Sequence, residues 1–175
     1  MIKTAVSSNS APAEIKFCSH CGAEMDSRIV GDKLRRACPQ CKFVHFTDPK
    51  VGVGVFVQQD GNVLLIQRAV RPQIGKWSVP AGYLDRGEDP KVTAVREVYE
   101  ETHLHVEIER LIDVFHNPDS GGGASIFILY QAKLLGGQLQ ADDDARDARF
   151  FSPDALPELA FAHTRQTIAA LTSSE

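Results

Sequence analysis

Two short cysteine pairs constrain this chain before any helix or strand can be drawn. Its four cysteines fall as Cys18-x-x-Cys21 and Cys38-x-x-Cys41, with sixteen residues between the pairs. Two close pairs at that separation match a tetrahedral thiolate zinc site. Two disulfides are the competing use, and they suit a small secreted protein better than a chain of this kind. The segment they bracket, about thirty residues with few large apolar side chains, cannot hold itself together by burial, so Zn2+ is expected to be structural. Four thiolates complete the tetrahedron. His20, inside the first pair, is therefore expected to be a bystander, and zinc catalysis, which needs an open position, is disfavoured.

The rest of the sequence is long enough for a core of its own. At 175 residues, one domain plus a small appendage is expected. Hydrophobic residues at 43% and charged residues at 24% place the chain among ordinary soluble globular proteins. A formal net charge of -4 gives no sign of general nucleic-acid or membrane binding, so local clusters matter more. The apolar runs VGVGVFV and SIFILY are strand-sized, well short of a membrane span. Residues 1–15 lack the apolar centre of a secretory signal, contain one Lys and no Arg, and read as a flexible lead-in; a cytoplasmic location is the expectation.

Residues 16–47 form the cysteine unit, closed by the turn signal in FTDPK, and 48–175 the main domain. KVGVGVFVQ alternates and reads as a strand; QDGN turns the chain and VLLIQR returns, making a hairpin. A short strand is expected around Trp77–Val79. Asp89 and Pro90 start a helix, as N-cap and first helical residue, that runs to about Thr102. LHVEIERLIDVFHN and ASIFILYQAKLL read as strands joined by PDSGGG. No Gly-Lys-Ser/Thr follows those glycines, so a flexible hairpin loop is expected rather than a phosphate cradle. ARFFS is a last strand and FAHTRQTIAALTSS a last helix. The chain is thus α+β, with a mixed sheet and two helices.

The first of those helices carries a puzzling group of like charges. Val92, Val95, Val98, Tyr99 and Thr102 are expected to face the core, and Glu97, Glu100 and Glu101 the opposite side. Glutamates in the last turns meet the negative end of the helix dipole, at a cost of about a few tenths of a kcal/mol each. Arg96 and Glu100 lie four apart in the weaker order for such a pair. Stability alone does not choose this pattern. A solvated charged face is the bland account. Three carboxylates at i, i+3 and i+4 behind a glycine turn instead converge on one spot, a nest for hard cations such as Mg2+ or Mn2+.

Gly82, five residues, Glu88, seven residues, then Arg96-Glu97-Val98-Tyr99-Glu100-Glu101 resembles the signature of the Nudix hydrolases, with every charged position filled. The resemblance implies an α/β/α sandwich over roughly Lys50–Ser174 and hydrolysis of a nucleoside diphosphate linked to another moiety. It further implies that Glu97, Glu100 and Glu101 bind divalent ions, with the Ala81 carbonyl as an added ligand. Arg96 would orient the glutamates, and Glu88 would stand at the edge of the cluster. Some members take a further ligand or base from a later loop; ADDDARDARFF offers Asp144, with Asp147 second, against the alternative of a solvated turn. One position departs: His103 stands where the family has glycine. That glycine serves a left-handed helix cap, which His tolerates better than most residues.

The cysteine unit joined to QRAVRPQIGKWSVPAGYLDRGE resembles the zinc-ribbon Nudix proteins, within them the group related to FAD and ADP-ribose pyrophosphatases. The NADH pyrophosphatases share such a zinc unit but carry an SQPWPFP-type motif after the signature, absent from FHNPDSGGGASIF. ADP-ribose or FAD is therefore the expected substrate and NADH the alternative. Arg68 is a candidate for a substrate phosphate or else an edge-strand charge. Trp77 is expected in the scaffold, and Tyr83 and Phe115 are candidates for a nucleobase pocket. A non-catalytic metabolite sensor or a nucleic-acid binder is the rival class. The excess of Lys and Arg in the ribbon is largely cancelled by a four-thiolate zinc, so nucleic acid is not the expected partner. Whether the ribbon supports a homodimer or covers the cleft is left open.

Overall fold

The computed structural model describes residues 15–117 and 124–172. Of the sequence expectations, the lead-in up to residue 14 and the glycine loop at 118–123 lie outside the described residues. The chain divides into two compact units, 1–48 and 49–175.

In the first unit, β1 (Asp26–Val30), β2 (Lys33–Ala37) and β3 (Val44–His45) form a three-stranded antiparallel sheet. Gly31, at φ 67°, makes the tight turn between β1 and β2. The core here is small. Its fully buried members are Cys18, Met25 and Cys38, with Ile15, Ala23 and Phe43 packed around them. Two of those three are themselves thiols, so this unit has little apolar surface with which to fold unaided.

In the second unit the Val/Gly run becomes β4 (Val51–Gln59), and Asp60-Gly61, both at positive φ, turn it into β5 (Asn62–Arg68). Two short strands follow, β6 (Trp77–Ser78) and β7 (Ala81–Tyr83), then helix α1 (Pro90–Thr102). The long strands β8 (Leu104–His116) and β9 (Ile126–Gly137) pair antiparallel. Strand β10 (Ala145–Phe151) pairs with β5, a 3-10 turn spans Pro153–Ala155, and α2 (Ala162–Thr172) closes the described chain. The main sheet runs β10-β5-β4-β9-β8, with β6 on β5 and β7 on β4. It is mixed because β4 and β9 run parallel, from Val51 beside Ile126 to Val57 beside Ala132.

Strand alternation sorts the core into two layers. Val53, Val55 and Val57 face α1, with Leu64, Ala94, Val98, Val106, Tyr130 and Ala132. Phe56 points the other way, with Val63, Leu65, Leu129 and Ile168 of α2. A helix thus covers each face, the sandwich expected for an α+β chain of this pattern. Among the described residues, no helix is long and apolar enough to cross a membrane.

Helix α1 begins and ends where the sequence places it. The Asp89 carboxylate accepts the Lys91 amide at 2.8 Å, and His103 caps the other end at φ 56°, ψ 17°, its N–H donating to the Tyr99 carbonyl at 2.8 Å. Its inward face, however, is rotated from the one expected. The buried residues are Thr93, Ala94, Glu97, Val98, Glu101 and Thr102, while Val92 and Tyr99 are exposed. The core and carboxylate faces are therefore not opposite. Glu97 and Glu101 turn inward beside Val98 because β7, short and led by Ala81 and Gly82, leaves room for them.

Candidate active site

The ribbon cysteines come from two matching turns. In each, the first cysteine's carbonyl accepts an amide four residues on, Gly22 to Cys18 at 2.8 Å and Lys42 to Cys38 at 3.1 Å, and both donors are left-handed, at φ 74° and 66°. His20 and Cys41 amides point at Cys18 and Cys38 Sγ, each at 3.4 Å. Sulfurs of Cys18 and Cys41 lie 3.6 Å apart and those of Cys21 and Cys38 3.5 Å apart. A disulfide holds its sulfurs at about 2.0 Å. A tetrahedron with Zn–S of about 2.3 Å needs about 3.8 Å between sulfurs. The cluster fits zinc. Chiefly through the Cys41 amide, the Cys38 thiol is drawn down to about 6, while Cys41, against the pull of the Phe43 amide, is pushed up to about 12 by burial and the adjoining sulfurs. His20 stacks on Phe43 at 4.7 Å, a packing role.

Near the C-terminal end of α1 the carboxylates are held individually. Gly82 presses its bare Cα against Glu97, since a Cβ there would fall 2.0 Å from the Glu97 carboxyl carbon. Only glycine allows this approach. The Ala81 amide donates to Glu101 Oε2 at 2.9 Å, and Glu101 is 2% exposed. Arg96 Nη1 bridges Glu97 Oε1 at 3.1 Å and Glu100 Oε2 at 2.7 Å, while Nη2 reaches Glu88 Oε2 at 3.4 Å. Glu88 also accepts the Asp85 amide at 3.1 Å and the Thr93 hydroxyl at 2.9 Å. These bonds, the Asp85 amide first, hold the Glu88 carboxyl below its usual range.

Burial acts in the opposite direction on the inner pair. It pushes Glu97 up to about 7, with the charges of Glu100 and Asp143 adding and Arg96 opposing. It pushes Glu101 up to about 8, against the Ala81 amide and Arg68 and with Glu97 and Asp144 adding. Among the described residues, the one group of three or more His, Cys, Asp or Glu side chains placed to hold a metal ion is the four cysteines, their sulfurs all within 4.8 Å of one another. Glu88, Glu97 and Glu100 surround the Arg96 guanidinium instead.

Asp144 is thus in the electrostatic neighbourhood of Glu101, and its carbonyl accepts the Ala69 amide at 2.7 Å. Asp147 lies inside β10, which starts earlier than expected, and pairs with Arg149 at 2.5 Å. Asp143, at φ 50°, is the residue that sequence reasoning passed over; the run of three aspartates was its only signal. Arg68 donates to the Pro72 carbonyl at 2.8 Å and lies 5.5 Å over the Phe161 ring. Trp77 packs edge-on against Phe151 at 4.7 Å within the second core layer. Tyr83 is half-exposed beneath Lys50, and Phe115 stacks on His163 at 4.9 Å.

Comparison with known proteins gives this arrangement its class. The NUDIX domain family matches residues 48–171, and the zinc-ribbon family described as Nudix N-terminal matches 16–47. The chain belongs to the Nudix hydrolases. It is 36% identical over 125 residues to an ADP-ribose pyrophosphatase of Methanocaldococcus jannaschii, covering 71% of this chain and 74% of that one. It is 31% identical over 155 residues to the NAD-capped RNA hydrolase NudC of Stutzerimonas stutzeri, covering 88% of this chain and 53% of that one. The chain therefore spans about half the length of the NudC relative. A crystal structure of a NUDIX hydrolase from Nitrosomonas europaea superposes with a TM-score of 0.83 at 33% identity, covering 92% of both chains.

Proposed function

We propose that this protein is a Mg2+- or Mn2+-dependent pyrophosphohydrolase acting on ADP-ribose or FAD. Water would attack phosphorus and break the P–O–P bond, giving AMP with ribose 5-phosphate or with FMN. The observation that carries this is the pair of inward-facing carboxylates, Glu97 and Glu101. Each is pushed toward neutrality by burial and by neighbouring acids, with one guanidinium among them. Such a cluster holds more carboxylates than the Arg96 guanidinium can balance, and hard oxygen donors suit a divalent cation. Bound cations would acidify water and neutralise the diphosphate.

Each side chain then has a part. Glu97, Glu100 and Glu101 offer oxygens, joined by the Ala81 carbonyl and Asp144. Arg96 spaces Glu97 and Glu100, and Glu88 anchors the far side of the guanidinium. The four-cysteine cluster would hold zinc for folding alone, in a ribbon we take to end at residue 47. ADP-ribose is supported by the archaeal relative, and FAD by the zinc-ribbon resemblance. NADH comes second, supported by the NudC similarity and weakened by the missing SQPWPFP-type motif.

Purified protein incubated in Mg2+ with ADP-ribose, FAD, NADH and 8-oxo-dGTP tests the proposal. ADP-ribose or FAD is expected to turn over fastest; faster loss of NADH or 8-oxo-dGTP would remove the substrate assignment. Glu100→Gln is expected to cut turnover sharply with the fold intact, and unchanged turnover would reject its role as a metal ligand.

A further inference from the structure

His103 fills the left-handed position after α1 where the Nudix signature has glycine, and its ring makes contacts that glycine cannot. Nε2 lies 3.1 Å from Asp142 Oδ2. The ring stacks on Tyr99 at 5.7 Å and 21°, and Tyr99 in turn meets His105 at 5.1 Å and 23°. The imidazole is therefore held by an aromatic face on the helix and by a carboxylate on the loop. Asp142 opens the run Asp142-Asp143-Asp144, and backbone bonds dock the same segment. The Gln140 amide donates to the Thr102 carbonyl at 3.1 Å and the Asp142 amide to the Glu101 carbonyl at 3.3 Å. Those carbonyls belong to the last turn of α1, where the helix itself supplies no N–H donors for them. Gly137 lets the chain approach: at φ 110° a Cβ would fall 2.5 Å from the His103 carbonyl oxygen. The next two acids lie within electrostatic range of the inner glutamates, Asp143 of Glu97 and Asp144 of Glu101.

We infer that His103 and Asp142 form a latch that holds the acidic loop against the end of α1, and that His103 is a positioning residue for the metal-dependent reaction. The latch sets where Asp143 and Asp144 stand relative to Glu97 and Glu101. The inference builds on the proposed hydrolase function, but its test does not depend on turnover.

His103→Gly separates capping from latching, because glycine suits the left-handed backbone better than histidine and removes only the ring. The thermal midpoint is expected to stay or rise. Exchange of the Gln140 and Asp142 amides is expected to speed up about two- to fivefold, the range for one solvent-accessible side-chain contact. Amides within α1 keep their wild-type rates. Mn2+ affinity, read by calorimetry, is expected to fall by a similar factor. His103→Gln, which can still donate to Asp142, is expected to recover part of both losses. Wild-type exchange at the two amides in His103→Gly would overturn the latch, and faster exchange with unaltered Mn2+ affinity would overturn the positioning role. A wild-type protein that hydrolyses none of the dinucleotides sinks the hydrolase proposal by itself, since both latch readouts are measured without substrate.

Discussion

In the ribbon, four sulfurs approach in two pairs at 3.5 and 3.6 Å with backbone amides as their main company. At the end of α1, the carboxylates of Glu88, Glu97 and Glu100 share a guanidinium, and Glu101 is pinned by the Ala81 amide. The first site, suited to a structural zinc, draws its sulfurs together and supplies two of the three buried residues of the local core. On the proposed reading, the second site would share its ion with substrate, and its carboxylates are each braced by a protein group instead. Arg96 and the Ala81 amide preserve that arrangement while the glutamates wait for charge.

The contrast breaks most visibly at the ribbon. Cys38→Ser is expected to abolish zinc retention, read by atomic absorption, and to open residues 16–47 to protease, because a structural zinc contributes about 10 kcal/mol or more to folding such a unit. Retained zinc and protection would mean the ribbon folds by packing. Next in size, Glu101→Gln is expected to lower kcat about a hundredfold or more while thermal stability holds or rises, since a neutral amide suits a buried position that disfavours the charge. Lost stability with unchanged kcat would make Glu101 a scaffold residue.

A smaller effect sharpens the same comparison. Gly82→Ala is expected to slow turnover with little change of stability in denaturant, because the new methyl displaces the far end of a flexible side chain, the Glu97 carboxylate. The smallest is a pH dependence. Folding raises the carboxyl groups of Glu97 and Glu101 from the usual 4.5 to about 7 and about 8, so the native state keeps protons that the unfolded chain has released. Their contribution is fully present below about pH 4.5 and is lost as pH climbs through 7 and 8. Without divalent ions other than zinc, the melting temperature is expected to fall between about pH 6 and about pH 8.5. Mg2+ restores more of it at the higher pH. An equal Mg2+ effect at both would detach the ion from these two groups.

Local chemistry was legible along the chain. Asp89-Pro90 and His103 mark both ends of α1, and Asp60-Gly61 marks the hairpin, because caps and turns depend on a few adjacent residues. The thiol cluster was legible for the same reason: its spacing carries its geometry. The inward face of α1 was not. Periodicity ranks Glu97 and Glu101 as outward residues, and only the pairing of Ala81 with Gly54 and of Gly82 with Val53 creates the recess they enter. The parallel contact of β4 with β9 and the approach of Asp143 to Glu97 likewise depend on segments far apart in sequence.

Strand β8 lies at the outer edge of the main sheet, paired on one side with β9 through a ladder that slips at His105/Val106, Ile108/Arg110 and Leu111/Asp113. Each slip twists the free edge, and Glu107, Glu109, Arg110 and Asp113 stud the same strand with charge. A neighbouring chain in a crowded solution finds no straight template to extend there. The longest strand of the protein is therefore shielded from amyloid-like growth by its own irregularity, even though half-exposed Leu111 and Val114 lie along it.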